Sequence, residues 1–285
     1  MIIAIASGKG GTGKTTVAVN LAKIMQTRVL LLDCDVEEPN CHLFLKGTVR
    51  SLEEVAIPVP VIDESLCDAC GECGQFCEFN AIVSLRTKPL IFPELCHGCG
   101  GCVRICPQKA ISGTNRRIGV VEVLDSDYVT LIQGCLDVGV AMSPPLIRTV
   151  KGRLHDRIPA ILDAPPGSSC PVIATLRGTH FIVLVTEPTP FGLHDLMLAV
   201  NMVRELRIPC GVVVNRVGIG DDRVHDFCKS ENIPLLLEIP DDRRIAEAYS
   251  RGEIIADALP EYRNLFEGLW EKVKQSVTIK ESDNT

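Results

Sequence analysis

Eight cysteines carry the most specific chemical pattern in the sequence. They form two runs of the form C-x2-C-x2-C-x3-C, and each cysteine of the second run follows its counterpart by 29 positions. The runs are Cys67, Cys70, Cys73, Cys77 and Cys96, Cys99, Cys102, Cys106. Thiolates are soft donors that suit zinc and the iron of iron–sulfur clusters. Zinc sites do not usually take three such close steps, so the spacing favours two iron–sulfur clusters over zinc.

A disulfide framework is the other use of so many cysteines. The first six residues form a short apolar run with no basic residues before it and a glycine-rich loop after it, unlike a secretory signal. We therefore expect a reducing cytoplasm, in which disulfides are rare. Clusters that oxygen destroys would further suggest an anaerobic organism.

Residues 61–113, which we call the insert, resemble bacterial ferredoxins with two 4Fe-4S clusters. In that family the fourth cysteine of each run ligates the other cluster. The resemblance implies one cluster on Cys67, Cys70, Cys73 and Cys106, and a second on Cys96, Cys99, Cys102 and Cys77. Pro107 follows the last cysteine as in the family, whereas Glu78 stands at the matching place in the first run. The two clusters are therefore predicted to differ.

A phosphate-binding pattern stands at the start of the chain. Residues 2–6 read as a buried strand, a helix is predicted from 14 to about 25, and the loop 7–16 reads S-G-K-G-G-T-G-K-T-T. Glycines let backbone N–H groups surround phosphate oxygens, and a helix N-terminus favours negative charge. In such a P-loop, Lys14 would reach the β- and γ-phosphates and Thr15 would bind Mg²⁺. The predicted nucleotide-binding residues of the loop are Gly8, Gly10, Gly11, Thr12, Gly13, Lys14, Thr15 and Thr16.

Lys9 gives the loop a second lysine. With it, the loop resembles the deviant Walker A motif of the MinD, ParA and Mrp ATPases and of the nitrogenase iron protein. In that family the extra lysine contacts nucleotide across a dimer interface, so the resemblance implies that Lys9 and Lys14 both act in catalysis. It also implies that Asp33 lies near the metal and that Asp35 orients or activates the attacking water.

Later segments extend this resemblance. A predicted strand ending at Asp163 is similar to the family's Walker B motif. Asn215 and Arg216 follow another strand and resemble the residues on the adenine side of the nucleotide. The resemblance implies a Mg²⁺ site of Thr15, Asp33 and Asp163. Outside the insert it covers about residues 1–45 and 115–270, so the whole is similar to MinD-superfamily ATPases with an inserted ferredoxin domain.

Apolar strand patterns alternate with helical ones, which is typical of a doubly wound, mostly parallel α/β sheet. With the resemblance, this indicates a P-loop NTPase fold of the SIMIBI type that carries a small inserted α+β ferredoxin domain. We expect a discontinuous ATPase domain of residues 1–60 and 114–285 around an insert of 61–113. The predicted strands are 2–6, 28–32, 159–162, 181–185, 211–214 and 234–237, with a hairpin of 118–123 and 128–133. The predicted helices are 14–25, 193–206, 222–230, 242–250 and 262–275.

Composition argues against two kinds of partner. The chain has 285 residues, a formal net charge of −7 and only 4% aromatic residues. A negative chain with few aromatics is poorly suited to bind a phosphate backbone or to stack bases, so no nucleic acid is expected. No run of 18 apolar residues occurs, so no membrane span is expected.

Two cysteines outside the runs, Cys135 and Cys170, lie on either side of Asp163 in the sequence. Their offsets from Asp163 are similar to those of the cysteines through which two subunits of the nitrogenase iron protein share one cluster. The resemblance therefore implies a third cluster shared across a dimer. The alternative is that both are ordinary buried cysteines.

These patterns predict a slow, dimer-dependent ATPase whose nucleotide state is coupled to iron–sulfur clusters. The dimer would be a homodimer or a heterodimer with a related ATPase. The output would be electron transfer to a redox partner, or assembly or transfer of a metallocluster, and the motifs favour neither. The alternatives are a MinD- or ParA-like positioning ATPase and a nucleotide-regulated ferredoxin with little turnover. The expected cofactors are ATP or ADP, Mg²⁺ and two 4Fe-4S clusters, with the shared cluster as a third.

Overall fold

One large sheet of nine strands dominates the computed structural model, which describes residues 1–85 and 88–283. The strands are β1 (Ile2–Ala6), β2 (Val29–Asp33), β3 (Thr48–Ile62), β4 (Ile82–Val83), β5 (Leu90–Ile91), β6 (Ile111–Ser126), β7 (Val129–Leu136), β8 (Ala160–Asp163), β9 (Phe181–Thr186), β10 (Cys210–Val217) and β11 (Leu235–Pro240). The helices are α1 (Lys14–Ile24), α2 (Glu72–Phe76), α3 (Gly101–Ile105), α4 (Pro144–Lys151), α5 (Cys170–Leu176), α6 (Pro190–Glu205), α7 (Arg223–Ser230), α8 (Arg243–Ser250), α9 (Ile255–Ala258) and α10 (Arg263–Asp283).

The strand order of the large sheet is β11-β10-β9-β1-β8-β2-β7-β6-β3. In this order, the seven strands from β11 to β7 run parallel to one another. Strands β6 and β3 extend the sheet antiparallel at the β7 edge. Parallel strands are buried on both faces, which explains their continuous apolar sequences. In β1, for example, Ile3 and Ile5 enter one core while Ala4 and Ala6 enter the other. The predicted α/β class and mostly parallel sheet are confirmed.

Helices cover both faces of the sheet, as a doubly wound architecture requires. Helices α1, α9 and α10 pack on one face, where Leu21 and Phe266 are buried. Helices α4 to α7 pack on the other face, where Leu146 and Leu196 are buried. Across residues 1–85 and 88–283, no helix is long and apolar enough to cross a membrane.

A long antiparallel ribbon, which we call the stem, joins the sheet to the insert. It consists of β3 and β6, paired from Thr48 opposite Asp125 to Ile62 opposite Ile111. The predicted hairpin is confirmed as β6 and β7, but β6 begins earlier than predicted and its partner β3 was not predicted. Pro58 lacks the N–H that a central strand needs, so a proline at this position argues against a strand. The proline is tolerated because β3 is the edge of the sheet.

The insert repeats its backbone as it repeats its cysteines. Helices α2 and α3 have equal length and are related by the same shift of 29 positions. Each begins after a glycine with positive φ, Gly71 at 86° and Gly100 at 68°. Only glycine adopts this conformation without strain, so the two turns depend on these residues. Strands β4 and β5 pair with each other, and Cys73, Ile82 and Ile111 form a small core beside them.

Candidate functional site

The P-loop is held in shape by a contact from a neighbouring strand end. Gly13 has a φ of 96°, and a Cβ there would lie 2.5 Å from Asn215 Nδ2. Asn215 Nδ2 donates a hydrogen bond to the carbonyl oxygen of Thr12 at 2.9 Å. Asn215, predicted on the adenine side, therefore also fixes the loop.

A cleft of about 430 Å³ opens beside this loop, within the range of small-molecule sites. It brings together five segments: the P-loop, the segment after β2, Pro166 after β8, the end of β10, and the β11–α8 connection. The predicted residues that line it are Gly10, Gly11, Gly13, Lys14, Thr15, Thr16, Asp35, Asn215 and Arg216. The carboxyl ends of parallel strands meet here, where ligands of such sheets bind.

Two aspartates lie side by side beneath the cleft. The last residue of β2, Asp33, is paired in register with the last residue of β8, Asp163, and both are almost fully buried. Asp33 accepts hydrogen bonds from the backbone N–H groups of Asp35, Asn40 and Cys41 at 3.1, 2.9 and 3.0 Å. The segment after β2 therefore wraps around this carboxylate.

Asp163 has a different set of contacts. Its Oδ2 accepts a hydrogen bond from Thr15 Oγ1 at 2.5 Å and from Cys41 Sγ at 3.6 Å. Its Oδ1 is buried and has no hydrogen-bond partner in the structure. Burial first, and then the charge of Asp33, raise the pKa of Asp163 to about 7. The same two causes raise the pKa of Asp35 to about 6.

The unpartnered oxygen of Asp163 is in a position to bind a magnesium ion. Buried polar atoms normally have partners, and a carboxylate is a ligand that Mg²⁺ prefers. Thr15 and Asp163 lie in contact, with Asp33 beside them, so the predicted set is brought together. The residues therefore fit Mg²⁺, whose positive charge would balance the negative charge of these buried carboxylates.

Glu187, directly after β9, links two cationic residues of the site. Its carboxylate lies 3.0 Å from Lys9 Nζ and 3.0 Å from Arg216 Nη1, and its side chain is only 9% exposed. We assigned it no role from the sequence. The available signal was its place at a strand end, the same place that Asp33 and Asp163 occupy. Arg216 itself has a φ of 58°, which is uncommon for a residue with a side chain.

The eight cysteines of the insert sort into two cavities. The first is lined by Cys67, Cys70, Cys73 and Cys106. The second is lined by Cys77, Cys96, Cys99 and Cys102. Backbone N–H groups donate to two of the sulfurs, from Gly98 to Cys96 at 3.4 Å and from Ala110 to Cys106 at 3.3 Å. Such bonds favour thiolates, so the donor sets suit the predicted clusters.

Phe79 and His97 cover part of the second cavity. Their rings stack with centroids 3.5 Å apart and planes 15° apart. The wall is otherwise largely apolar, with Val59, Ile82 and Val103 among its residues. An apolar wall limits solvent access, which is one of the factors that set the potential of a bound cluster.

The other cysteines differ in exposure. Cys135, on β7, and Cys170, the first residue of α5, are both exposed, contrary to the alternative that they are buried. Cys34 and Cys228 are buried.

Comparison with known proteins places the chain in a family. Residues 3–255 match the family described as the CobQ/CobB/MinD/ParA nucleotide binding domain. The chain belongs to this family. It is a MinD/ParA-type P-loop ATPase, and its central sheet is the mostly parallel sheet of that fold.

Two relatives and one solved structure illustrate the range of similarity. An uncharacterized protein of Methanocaldococcus jannaschii is 32% identical over 260 residues, which cover 89% of this chain and 90% of the relative. An iron-sulfur cluster carrier protein of Aquifex aeolicus is 26% identical over 280 residues, covering 91% of this chain and 63% of the relative. The septum site-determining protein MinD of Pyrococcus horikoshii, complexed with Mg-ADP, has a TM-score of 0.57 at 22% identity and covers 98% of both chains.

The raised pKa of Asp163 predicts that magnesium binding depends on pH. Protons compete with Mg²⁺ for this carboxylate, so affinity should fall as the pH drops below the pKa of about 7. Between pH 8 and pH 6, the Mg²⁺ affinity of the ADP-bound protein should weaken by about tenfold. Titrating Mg²⁺ into protein that holds a fluorescent ADP measures this affinity. The values are corrected for the binding of Mg²⁺ to free ADP at each pH.

Asp163→Asn is the control for that titration. It should bind Mg²⁺ weakly at both pH values because the titrating carboxylate is gone. An affinity of the parental protein that is equal at pH 6 and pH 8 would contradict the assignment of Asp163.

Proposed function

We propose that this ATPase holds two 4Fe-4S clusters in its insert and couples their state to its nucleotide. The observation that supports this most strongly is the sorting of the eight insert thiols, four and four, in a chain that also has a P-loop cleft. One cluster would be held by Cys67, Cys70, Cys73 and Cys106, and the other by Cys77, Cys96, Cys99 and Cys102. When bound, such clusters supply one-electron transfer or a transferable metallocluster.

The spacing of the thiols supports clusters over zinc. Four thiolates around one tetrahedral zinc, each at about 2.3 Å, lie about 3.8 Å apart. Within residues 1–85 and 88–283, the one group of three metal-binding side chains with ligand atoms within 4.8 Å of one another is Asp33, Cys41 and Asp163. No three insert thiols approach this closely. A cluster of four irons does not require such close contact between its ligands.

Each side chain of the nucleotide site would have a separate task. Lys14 would neutralise the β- and γ-phosphates, and Thr15 and Asp163 would hold Mg²⁺. Asp35 lines the cleft but lies outside the carboxylate pair, so it would orient the attacking water. With a pKa of about 6, its carboxylate is ionised at neutral pH and can accept a hydrogen bond from that water.

Lys9 would act in the second subunit of a dimer. In the single chain, Glu187 holds its ammonium at 3.0 Å. Contact with a partner's nucleotide would therefore require Lys9 to exchange one anion for another. After this exchange Arg216 still balances the charge of Glu187, because it is bound to the other carboxylate oxygen.

A hydrogen bond links the segment after β2 to β7, the strand that pairs with the stem. The N–H of Leu136, at the end of β7, donates to the carbonyl of Val36 at 2.8 Å, one residue beyond Asp35. Gly134 on β7 leaves no space at this point, since a Cβ there would lie 2.6 Å from the Val36 side chain and 3.0 Å from that of Val150 on α4. Strand β7 pairs with β6, which continues into the insert.

Helix α4 is bonded to the segments that follow both buried aspartates. Before its first turn, Ser143 Oγ donates to Glu37 Oε1 at 3.0 Å. At its last residue, Lys151 Nζ donates to the carbonyls of Ala174, Thr175 and Arg177, at the end of α5, at 2.8, 2.7 and 2.6 Å. A nucleotide-dependent shift of either segment therefore has a short, bonded route to α4, and the segment after β2 is also bonded to β7, the strand that pairs with the stem.

One comparison favours a particular output. The Aquifex aeolicus relative is named an iron-sulfur cluster carrier protein. We therefore propose transfer or assembly of a metallocluster as the first output, with a cluster-accepting protein as the partner. Electron transfer to a redox partner is the second candidate, supported by the two cavities in one small insert.

Iron content tests the cluster half of the proposal. Anaerobically purified protein should contain about eight irons and eight sulfides per chain, because each cavity would hold four of each. About ten irons would indicate that Cys135 and Cys170 share a third cluster across a dimer. Replacing Cys70 and Cys73 by serine should remove about four irons, whereas Cys228→Ser should remove none. Zinc without acid-labile sulfide would overturn the proposal.

Lysine variants test the nucleotide half. Lys14→Ala should weaken ATP binding by roughly 10- to 100-fold, since it removes a charge-assisted bond of about 1.5–3 kcal/mol. Lys9→Ala should bind ATP nearly as well as the parent but lose dimer formation and turnover. Lys229→Ala, on α7, is the matched control and should behave as the parent. Equilibrium ATP binding, sedimentation and steady-state hydrolysis measure these effects, and parental turnover in Lys9→Ala would refute the role across the interface.

A further inference from the structure

Cys41 brings a thiol to the two buried aspartates. One ligand atom from each of Asp33, Cys41 and Asp163 lies within 4.8 Å of the others. Cys41 Sγ is 3.6 Å from Asp163 Oδ2. All three residues are at most 1% exposed.

Lone pairs remain available in this group. Asp33 Oδ1 accepts a single hydrogen bond, from the N–H of Asp35, and Asp163 Oδ1 accepts none although it is buried. A buried carboxylate oxygen with no hydrogen-bond partner indicates that a cation belongs here.

The sulfur decides which cation fits best. Magnesium takes oxygen ligands, so it can use the two carboxylates but gains nothing from the sulfur of Cys41. A cation that binds sulfur would displace the thiol proton and use all three side chains. Zinc and ferrous iron accept thiolate and carboxylate together, and three protein ligands with one open position is the pattern of a zinc site that stays open to a further ligand. We infer that Asp33, Cys41 and Asp163 form a binding site for a thiophilic divalent cation of the zinc and ferrous-iron class.

Such a site would compete with the nucleotide's magnesium. The hydroxyl of Thr15 donates to Asp163 Oδ2, so the same carboxylate would serve both ions. Two cations that bind the same carboxylate repel each other, so we expect them to compete for Asp163. A bound thiophilic cation would therefore weaken the binding of Mg-ADP, and the ATPase would be sensitive to these metals. This consequence rests on the proposed magnesium role of Asp163, whereas the binding of the cation does not.

Cobalt(II) is the probe, because a cobalt–thiolate bond gives a charge-transfer absorption in the near ultraviolet and oxygen ligands do not. Nucleotide-free protein with its clusters in place is titrated with Co²⁺ without oxygen. We expect one equivalent per chain that gives this absorption in the difference spectrum. Cys41→Ser should lose it and bind Co²⁺ more than about tenfold more weakly. Cys228→Ser, which changes a buried cysteine on α7, should retain it.

The controls separate this site from the insert thiols and from the proposed function. Cobalt bound by the insert alone would give the same spectrum in the parent and in Cys41→Ser, and that result would overturn the inference. Should Cys41→Ser fold poorly, Cys41→Ala should lose the absorption in the same way. An unchanged Co²⁺ affinity of the parent in saturating Mg-ADP would refute the competition with magnesium. Protein that binds Mg-ADP but shows no cobalt–thiolate absorption refutes this inference alone. Protein that does not bind Mg-ADP at all refutes the proposed function.

Discussion

The burial of two neighbouring carboxylates is the constraint on which the site depends. Asp33 and Asp163 end adjacent parallel strands in register and are almost completely removed from water. Burying charges of the same sign is costly unless hydrogen bonds or a cation compensate them. Three backbone N–H groups compensate Asp33, and they force the chain after β2 to wrap around it. The hydroxyl of Thr15 compensates Asp163 in part, and this bond sets the first turn of α1 beside the cleft.

That arrangement also explains how events at the nucleotide can reach the insert. The chain that wraps around Asp33 continues through Val36 and Glu37, which are bonded to β7 and to the start of α4. The chain that follows Asp163 leads to α5, whose final carbonyls are bound by Lys151 of α4. A close-packed interior transmits such displacements because it has no space to absorb them. The stem is the continuation of this packed layer, and the insert lies at its end.

The sequence was sufficient where a local pattern determines the structure. Apolar strands buried on both faces and the glycine loop depend on neighbours in the chain, so the parallel sheet and the P-loop could be predicted. The two sets of four cysteines each join both runs, and they came from the resemblance to bacterial ferredoxins. The sequence was insufficient where contacts between distant parts of the chain determine the structure. Strand β3 contains prolines and charged residues and is stable only because it pairs with β6 at an edge. The contacts of Glu187 with Lys9 and of Cys41 with Asp163 join residues more than a hundred positions apart, and no local pattern reports them.

Redox titration of the clusters in the presence of different nucleotides tests the central claim most directly. We propose that nucleotide and clusters share a coupling free energy, which in proteins is typically about 1–3 kcal/mol and acts in both directions. For a one-electron couple, 1 kcal/mol corresponds to about 40 mV. The midpoint potential of at least one cluster should therefore shift by about 40 mV or more between protein with Mg-ADP and protein with Mg²⁺ and a non-hydrolysable ATP analogue. Superimposable titrations without nucleotide, with ADP and with the analogue would show that the two halves are joined but not coupled.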